Sequence, residues 1–165
     1  MATLALQPLR TYKARAGNSV EFDQITVSGT VIPGDLLCKT NGQAVTVAGY
    51  TYPPTITYVA VCNNSDTIPG LSNINNVEII RPGDVFEISA HHSTAASAVV
   101  ADADLDGLAS YGILKTTVSG NVAWTLDLQD TTNTRVRLLG RLSTATDLYP
   151  RVLVSFLTAA LTYTD

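Results

Sequence analysis

The sequence predicts an all-β protein built from short strands. Apolar and polar residues alternate with period two in many short segments, as they do in strands with one buried face. Gly, Pro, Asn and Asp interrupt these segments about every ten residues, a spacing typical of barrels and sandwiches. No long segment carries the helical period. We expect two small β-lobes, at residues 19–80 and 81–165, with a single jelly-roll-like sandwich as the alternative.

Residues 1–18 carry the strand pattern least clearly, and we interpret them as an extended N-terminal arm. A frayed terminus is one interpretation. The other is an arm that pairs with a neighbouring subunit or a host surface, because leucines on a free tail are unfavourable unless something covers them. The candidate contact residues are Leu4, Leu6, Leu9, Arg10, Tyr12, Lys13 and Arg15.

The first lobe combines short strands with strong turn signals. A strand at 20–25 is followed by Pro33-Gly34-Asp35, where proline presets the turn, glycine takes the strained position and aspartate bonds the local backbone. The next strand ends at Asn41-Gly42, the strongest short signal for a β-hairpin. Further strands are predicted at 43–48, 56–62 and 77–80.

Two loops of the first lobe are candidates for contact with other molecules. Residues 49–57 hold Tyr50 and Tyr52 beside two prolines, which predicts a stiff loop with exposed aromatic rings. Residues 63–76 are rich in Asn, Ser, Gly and Pro, and long loops of this kind often contact a partner. Tyrosines in such positions also pack over barrel ends, so both interpretations stay open.

The second lobe repeats the turn and contains the clearest strands. Pro82-Gly83-Asp84 precedes a strand at 85–89, and this recurrence indicates that the two lobes are similar. Alternation is strongest at 122–129, where Trp124 is at the centre of the apolar face and is expected in the core. Further strands are predicted at 111–114, 136–141 and 152–156.

Composition limits the classes of partner. The chain is 45% hydrophobic and 15% charged, with a net charge of -4. Nucleic-acid binding needs clustered Lys and Arg. Only Arg135, Arg137 and Arg141 are close together, and a solvated strand face is the favoured interpretation of that cluster. No apolar run is long enough for a membrane helix. We therefore expect neither a nucleic acid nor a membrane as a partner.

Two motifs suggest metal sites, and both have simpler interpretations. Residues 102–107 start like a calcium loop, but the twelfth position, which must carry a carboxylate, is Ile113. An acidic surface turn is the favoured interpretation. His91 and His92 are neighbours on a predicted strand edge, and neighbouring strand residues point to opposite faces, so they do not converge on one ion. We expect no metal and no cofactor.

Nothing in the sequence favours catalysis. Cys38 and Cys62 lack the spacing of a metal or redox motif, and a disulfide between them is compatible with the sequence but not implied by it. No nucleophile-elbow or phosphate-loop sequence is present. We expect that the protein is not an enzyme. A small hydrolase that uses His91 or His92 is the enzymatic hypothesis to test against this expectation.

Several segments resemble structural proteins of tailed bacteriophages. In the front half, the segment PGDLL from Pro33 and the hairpin at Asn41-Gly42 are similar to capsid decoration (cement) proteins of the β-tulip kind. The segments of the back half are VFEISAHHSTAASAVV from Val85, YGIL from Tyr111, WTLDL from Trp124, TTNTRVRLLG from Thr131 and YPRVLVSF from Tyr149. The resemblance covers most of the chain from about Val20 onward.

This resemblance implies a β-tulip-like front half and a small β-barrel back half. It also implies a structural virion protein on the capsid exterior, assembled in the host cytoplasm and often a homotrimer at three-fold positions. Such a protein binds the major capsid protein, bridges neighbouring subunits and stabilises the capsid, commonly through an N-terminal arm. The alternative is a carbohydrate- or host-surface-binding module of a phage fibre, which Tyr50, Tyr52 and the loop at 63–76 favour.

Overall fold

The structure is a computed structural model, and it describes residues 6–13, 19–47, 56–60, 74–93, 99–105, 108–143 and 148–161. Within these ranges the chain forms eleven β-strands and two short 3-10 helices, Asp102–Leu105 and Thr158–Ala160, and it forms no α-helix. The prediction of an all-β fold is therefore confirmed. The first strand, β1 (Arg10–Lys13), precedes both lobes and pairs with the second one.

Five strands close the first lobe into a barrel. They are β2 (Phe22–Ser28), β3 (Leu36–Thr40), β4 (Gln43–Thr46), β5 (Tyr58–Ala60) and β6 (Ile74–Ile79). The order around the barrel is β2-β4-β3-β5-β6, and β6 pairs with β2 to complete it. β2 and β4 run parallel, whereas the other neighbouring pairs are antiparallel.

Five further strands close the second lobe. They are β7 (Val85–His91), β8 (Ser110–Val118), β9 (Asn121–Asp127), β10 (Val136–Arg141) and β11 (Arg151–Phe156). The order is β7-β11-β10-β8-β9, and a parallel pairing of β7 with β9 completes the ring. The two-lobe prediction is confirmed, and the chain does not form the single jelly roll considered as the alternative.

β1 fills a gap in the second barrel. β9 pairs with β7 only at 89–91, and β1 pairs with β7 at 85–87. Because β11 pairs with the opposite edge of β7 at 86–89, β1 and β9 share one edge of that strand. The first strand of the chain therefore satisfies backbone groups of β7 that β9 does not reach.

The two barrels have the same topology. In each barrel the first and third strands are parallel neighbours, and the second and third strands form a hairpin. Both hairpins have two-residue turns, Asn41-Gly42 with φ of 50° and 76° and Ser119-Gly120 with φ of 49° and 81°. Two positive φ angles define the type I′ turn that suits a twisted hairpin. The hairpin predicted at Asn41-Gly42 is confirmed.

Both Pro-Gly-Asp turns have the predicted local structure. Gly34 and Gly83 have φ of 86° and 89°. The carboxylate of Asp35 accepts from the Ile32 amide at 3.1 Å, and that of Asp84 accepts from the Arg81 amide at 2.8 Å. However, the first turn precedes the second strand of its barrel, and the second turn precedes the first strand of its own. The similarity of the lobes is therefore in strand order and not in the position of this motif.

Two large apolar clusters and one small one form the core of the described residues. One fills the first barrel with residues such as Leu37, Tyr58 and Val77. The larger cluster fills the second barrel and includes Trp124, which is 1% exposed and is in the core as predicted. The larger cluster continues onto the outer face of the first barrel, where Leu36 and Val59 alternate with inward-pointing neighbours. The larger cluster therefore joins the second barrel to the outer face of the first, and we call it the shared core.

β9 differs from the half-buried strand that its alternation predicts. Ala123, Thr125 and Asp127 were expected on the solvent side, but all three are buried. Leu6 and Tyr149 pack against Ala123 from outside the barrel. Residues far away in sequence thus cover the second face of β9, and the local pattern contains no sign of this cover.

Candidate interaction surfaces

Residues 6–13, which we call the strap, lie across both barrels of their own chain. Leu9 is 2% exposed and belongs to the shared core, and Leu6 is buried beside Ala123. The strap passes so close to the Gly34 turn that a Cβ on Gly34 would lie 2.8 Å from the Leu9 amide nitrogen. The strap is therefore an integral part of this fold.

An ion-pair network centred on the buried Glu87 and Arg151 fixes the strap to the second barrel. The Glu87 carboxylate accepts from Arg10 Nε at 2.9 Å and from Arg151 Nε at 2.7 Å. Arg151 Nη1 also donates to Ser89 Oγ at 3.2 Å and to the strap carbonyl of Gln7 at 3.4 Å. Burial alone raises the pKa of Glu87, but the hydrogen bonds from Arg151 and Arg10 outweigh burial and hold this pKa below its usual value.

A cleft of about 270 Å³ separates the strap from the first barrel. The Glu78 carboxylate is in its wall and accepts a hydrogen bond from the Thr11 hydroxyl. Burial raises the pKa of Glu78, and the Thr11 hydrogen bond opposes that rise only in part. The other lining residues are Gln7, Pro8, Leu9, Arg10, Pro33, Gly34, Val59 and Ala60.

The predicted contact residues of the arm have different environments. Leu6 and Leu9 are covered by their own chain, whereas Arg10 and Tyr12 are exposed. Leu4, Arg15 and the side chain of Lys13 lie outside the described residues, as do Tyr50 and Tyr52. Contact of the exposed arm residues with another subunit stays a prediction.

Two exposed aromatic rings are on strands whose residues contact Glu78 or pair with it. Tyr12 is 55% exposed and follows Thr11, which contacts Glu78. Phe22 is 58% exposed and is the cross-strand partner of Glu78 in the β2–β6 pairing. We call Tyr12 and Phe22 the aromatic pair. Exposed aromatic rings are candidate contact residues; the sequence singled out Tyr12 but not Phe22.

A second exposed apolar surface surrounds β10, and we call it the β10 face. Its apolar members are Val99, Leu108, Leu139 and Leu142, and its exposed cations are Arg137 and Arg141. A bulge between Leu138 and Gly140 shifts the register of β10 against β11. Leu138 is buried and Leu139 is exposed, so the Leu-Leu pair inside an alternating strand was the available sequence signal.

The β10 arginines are held by neighbouring segments. Arg137 Nε donates to the Leu108 carbonyl at 3.2 Å, and Arg141 forms an ion pair with Asp102. Of the three arginines interpreted as a solvated strand face, Arg137 and Arg141 are exposed and Arg135 is half-buried. These contacts bring the segment around Leu108 and the 3-10 helix at Asp102–Leu105 to the side of β10.

The histidines and acidic residues singled out in the sequence have local partners. His91 is buried, and burial lowers its pKa. His92 Nε2 lies 3.2 Å from Asp104, whose carboxylate also accepts from the Ala101 amide. Among the residues that the structure describes, no group of three His, Cys, Asp or Glu side chains is arranged to hold a metal ion. Asp106, in the same acidic segment, lies outside those residues, as does Cys62.

No protein-family model matches the chain, and no curated protein matches it either. In the described part of the chain, no helix is long and apolar enough to span a membrane.

Proposed function

We propose that the chain is a non-enzymatic structural virion protein that binds the outer surface of an assembled phage capsid. In this role it stabilises the capsid by bridging neighbouring major capsid subunits, and the active form is a homotrimer. The proposal combines the resemblance of the sequence to capsid decoration proteins with the surfaces described above.

The observation that carries the proposal is the presence of two separate exposed apolar surfaces. The aromatic pair lies beside β1 and β2, and the β10 face is separated from β1 by β7 and β11 in the second sheet. Bridging requires at least two contact surfaces on one molecule. Weak contacts that are repeated over a lattice sum by avidity, so neither surface must be large.

The shared core supports the same role. Leu36 and Val59 of the first barrel belong to the cluster that fills the second barrel. Lys115 of β8 forms an ion pair with Asp35 of the first barrel at 2.5 Å, and the Ile56 amide donates to the Ala160 carbonyl at 3.0 Å. A bridge transmits force between its two ends, and these contacts join the two barrels at several points.

Cosedimentation with heads of the encoding phage that lack the protein tests the proposal. We expect the full chain to pellet with the heads, to reach a fixed ratio to the major capsid protein and to raise the temperature at which the heads open. Native mass spectrometry of the free protein should give three times the chain mass of 17.5 kDa. A chain that stays in the supernatant at every concentration contradicts the proposal.

One observation favours the second candidate, a carbohydrate- or host-surface-binding module. Glu78 lines the cleft, and the exposed Tyr12 and Phe22 are on the two strands that bear its partners, Thr11 and the β2–β6 pairing. Aromatic rings can stack on a sugar, and a carboxylate can hydrogen-bond to it. A glycan array probed with the full chain separates the candidates. Binding to a glycan that Phe22→Ala abolishes favours the module, and an array without hits leaves the virion role as the better proposal.

A further inference from the structure

The cleft under the strap contains a buried carboxylate whose charge is not balanced. Glu78 lines this cleft and is only 5% exposed. The Thr11 hydroxyl donates to its Oε1 atom, whereas no described residue donates to Oε2. Asp84, a second anion, repels the carboxylate. A charge that is buried without a counterion is costly, and carboxylates in such surroundings are concentrated at functional sites.

Two arginines close to Glu78, one in the cleft wall and one along the chain, are held by other carboxylates. Arg10 lines the cleft, but its Nε and Nη2 atoms both lie 2.9 Å from the Glu87 carboxylate. Arg81, three residues after Glu78, pairs with Glu21 at 3.0 Å. Neither arginine therefore supplies the positive charge that Glu78 lacks.

The remaining features of the cleft indicate which cation fits. A guanidinium group pairs best with both oxygens of a carboxylate, but Thr11 already occupies one of them. An ammonium group is a point charge that one oxygen can hold. At about 270 Å³ the cleft is at the small end of ligand pockets, which begin at about 300 Å³. Its apolar walls suit methylene groups, and they consist of Pro8, Leu9, Pro33, Val59 and Ala60.

We propose that this cleft binds a primary alkylammonium group. The ammonium pairs with Glu78, and the methylene chain lies against apolar walls that include Pro33 and Val59. A lysine side chain of another protein and a free polyamine both have this chemistry. The inference goes beyond the proposed function and does not depend on it, because residues of one chain form the whole cleft.

The test is an NMR titration of the free, isotope-labelled full-length protein with n-butylamine hydrochloride at pH 7. An amine of this kind carries its charge at that pH. The comparison compounds are 1-butanol, which has the same chain without the charge, ethylguanidinium chloride and magnesium chloride. Backbone amides report the place of binding, and the side-chain carboxyl carbon of Glu78 reports its ionisation.

Glu78→Gln removes the carboxylate charge from the cleft. Its matched control is Asp102→Asn, which changes the net charge by the same amount at an exposed ion pair that does not line the cleft. General attraction of a cation to the protein therefore changes equally in both variants. Far-UV circular dichroism and the midpoint of urea unfolding confirm that each variant is folded.

We expect n-butylammonium to bind the wild type with a Kd of about 1 mM, as befits a ligand of this size. The amides that shift should be those of the cleft, within 7–11, 33–34, 59–60 and 78. Glu78→Gln should bind at least about tenfold more weakly, and so should the wild type with 1-butanol or ethylguanidinium. Asp102→Asn should bind like the wild type. Bound ligand should also move the titration of the Glu78 carboxyl to lower pH.

Two further ligands distinguish the sources of the ammonium group. Nα-acetyl-lysine amide represents a lysine of a protein partner, and putrescine represents a free polyamine. Tighter binding of the lysine derivative supports a protein source, and tighter binding of putrescine supports a polyamine.

Three outcomes overturn the inference. If Glu78→Gln binds n-butylammonium as tightly as the wild type, the carboxylate is not the site. If 1-butanol binds equally well, the cleft takes apolar chains without regard to charge. If magnesium chloride alone moves the Glu78 titration as far, the site holds cations in general. Because no heads are present, these outcomes are independent of the proposed function, which fails only if the wild type does not bind heads.

Discussion

Two buried carboxylates of this protein have opposite surroundings. Glu87 accepts hydrogen bonds from two guanidinium groups, whereas Thr11 donates to Glu78 and the nearby Asp84 carboxylate repels it. The pKa of Glu87 is therefore lowered and that of Glu78 is raised. At the residue scale, these two groups give the stability of the fold opposite dependences on pH.

Glu87→Gln should destabilise the protein at pH 7 by about 3 kcal/mol, the range for a buried pair that loses one charge. The folded pKa is below the usual 4.5, so the stability that Glu87 contributes is present above pH 4.5 and is lost as the pH falls through the folded value. Urea unfolding at pH 7 and pH 3 measures this. A penalty for Glu87→Gln that is the same at both pH values contradicts the ion-pair network.

Glu78→Gln should change the free energy of unfolding at pH 7 in the opposite direction to Glu87→Gln. Because its folded pKa is raised, the contribution of Glu78 is present below pH 4.5 and is lost as the pH rises through the folded value. The glutamine keeps an acceptor for the Thr11 hydroxyl and removes the buried charge. We expect the variant to be more stable than the wild type at pH 7 and equal to it at pH 3, in the same urea experiment. A loss of stability at pH 7 would show that the ionised form is needed.

Trp124→Ala should lower the free energy of unfolding by about 3–5 kcal/mol, because it leaves a large cavity in the core that both barrels share. Trp124 is the single tryptophan of the chain, so far-UV circular dichroism must follow the unfolding of the variant. A cost below about 1 kcal/mol, the value typical of a surface position, would contradict its place in the core.

At the scale of elements, Gly34 has two roles: its turn requires a positive φ, and the strap packs directly against it. Gly34 and Gly42 both have positive φ, which costs an alanine about 1–2 kcal/mol. Only Gly34 has the strap against it, since a Cβ there would also lie 2.9 Å from the Leu9 carbonyl oxygen, whereas nothing lies within 4 Å of a Cβ on Gly42.

Gly34→Ala should therefore cost about 1–3 kcal/mol more than Gly42→Ala, the range for overpacking a tight contact. Chemical denaturation of the two variants gives the difference directly, because the backbone penalty is common to both. Equal costs would mean that the strap does not rest on the turn.

Turns whose conformation is set by a few adjacent residues were predictable from the sequence. Asn41-Gly42 and both Pro-Gly-Asp turns depend on a few neighbouring residues, and the structure has them as predicted. Ser119-Gly120 forms the same hairpin, although its weaker turn chemistry did not single it out. The cover of β9 and the burial of Leu6 were not predictable, because the residues that meet there are distant in sequence.

At the scale of the whole molecule, the shared core predicts cooperative unfolding. The larger apolar cluster contains residues from Leu9 to Leu161 and spans both barrels. Calorimetry should therefore give one transition whose van't Hoff enthalpy equals the calorimetric enthalpy. Two resolved transitions would mean that each barrel is stable without the other.

The closure of the two barrels was not predictable from the sequence either, because it depends on which distant strands become neighbours. Each ring contains one parallel pairing, β2 with β4 and β7 with β9, between strands that are not consecutive. Alternation reports which residues of a strand are apolar and carries no information on which strand is its neighbour. For the contact surfaces, the sequence predicted the arm, whereas the exposure of Leu139 depends on a bulge in β10 for which the Leu138-Leu139 pair was the only sequence signal.

The position of β1 on the edge of β7 has a consequence for biosynthesis. Arg10 and its partner Glu87 are 77 residues apart, so a ribosome that adds 5–20 residues per second completes β7 roughly 4–15 s after β1. During that interval β1 has no partner strand, and the backbone groups that pair with β7 in the folded protein remain bonded to water. Refolding from denaturant removes this delay but keeps the closure of the long loop between β1 and β7, and such non-local pairings slow folding.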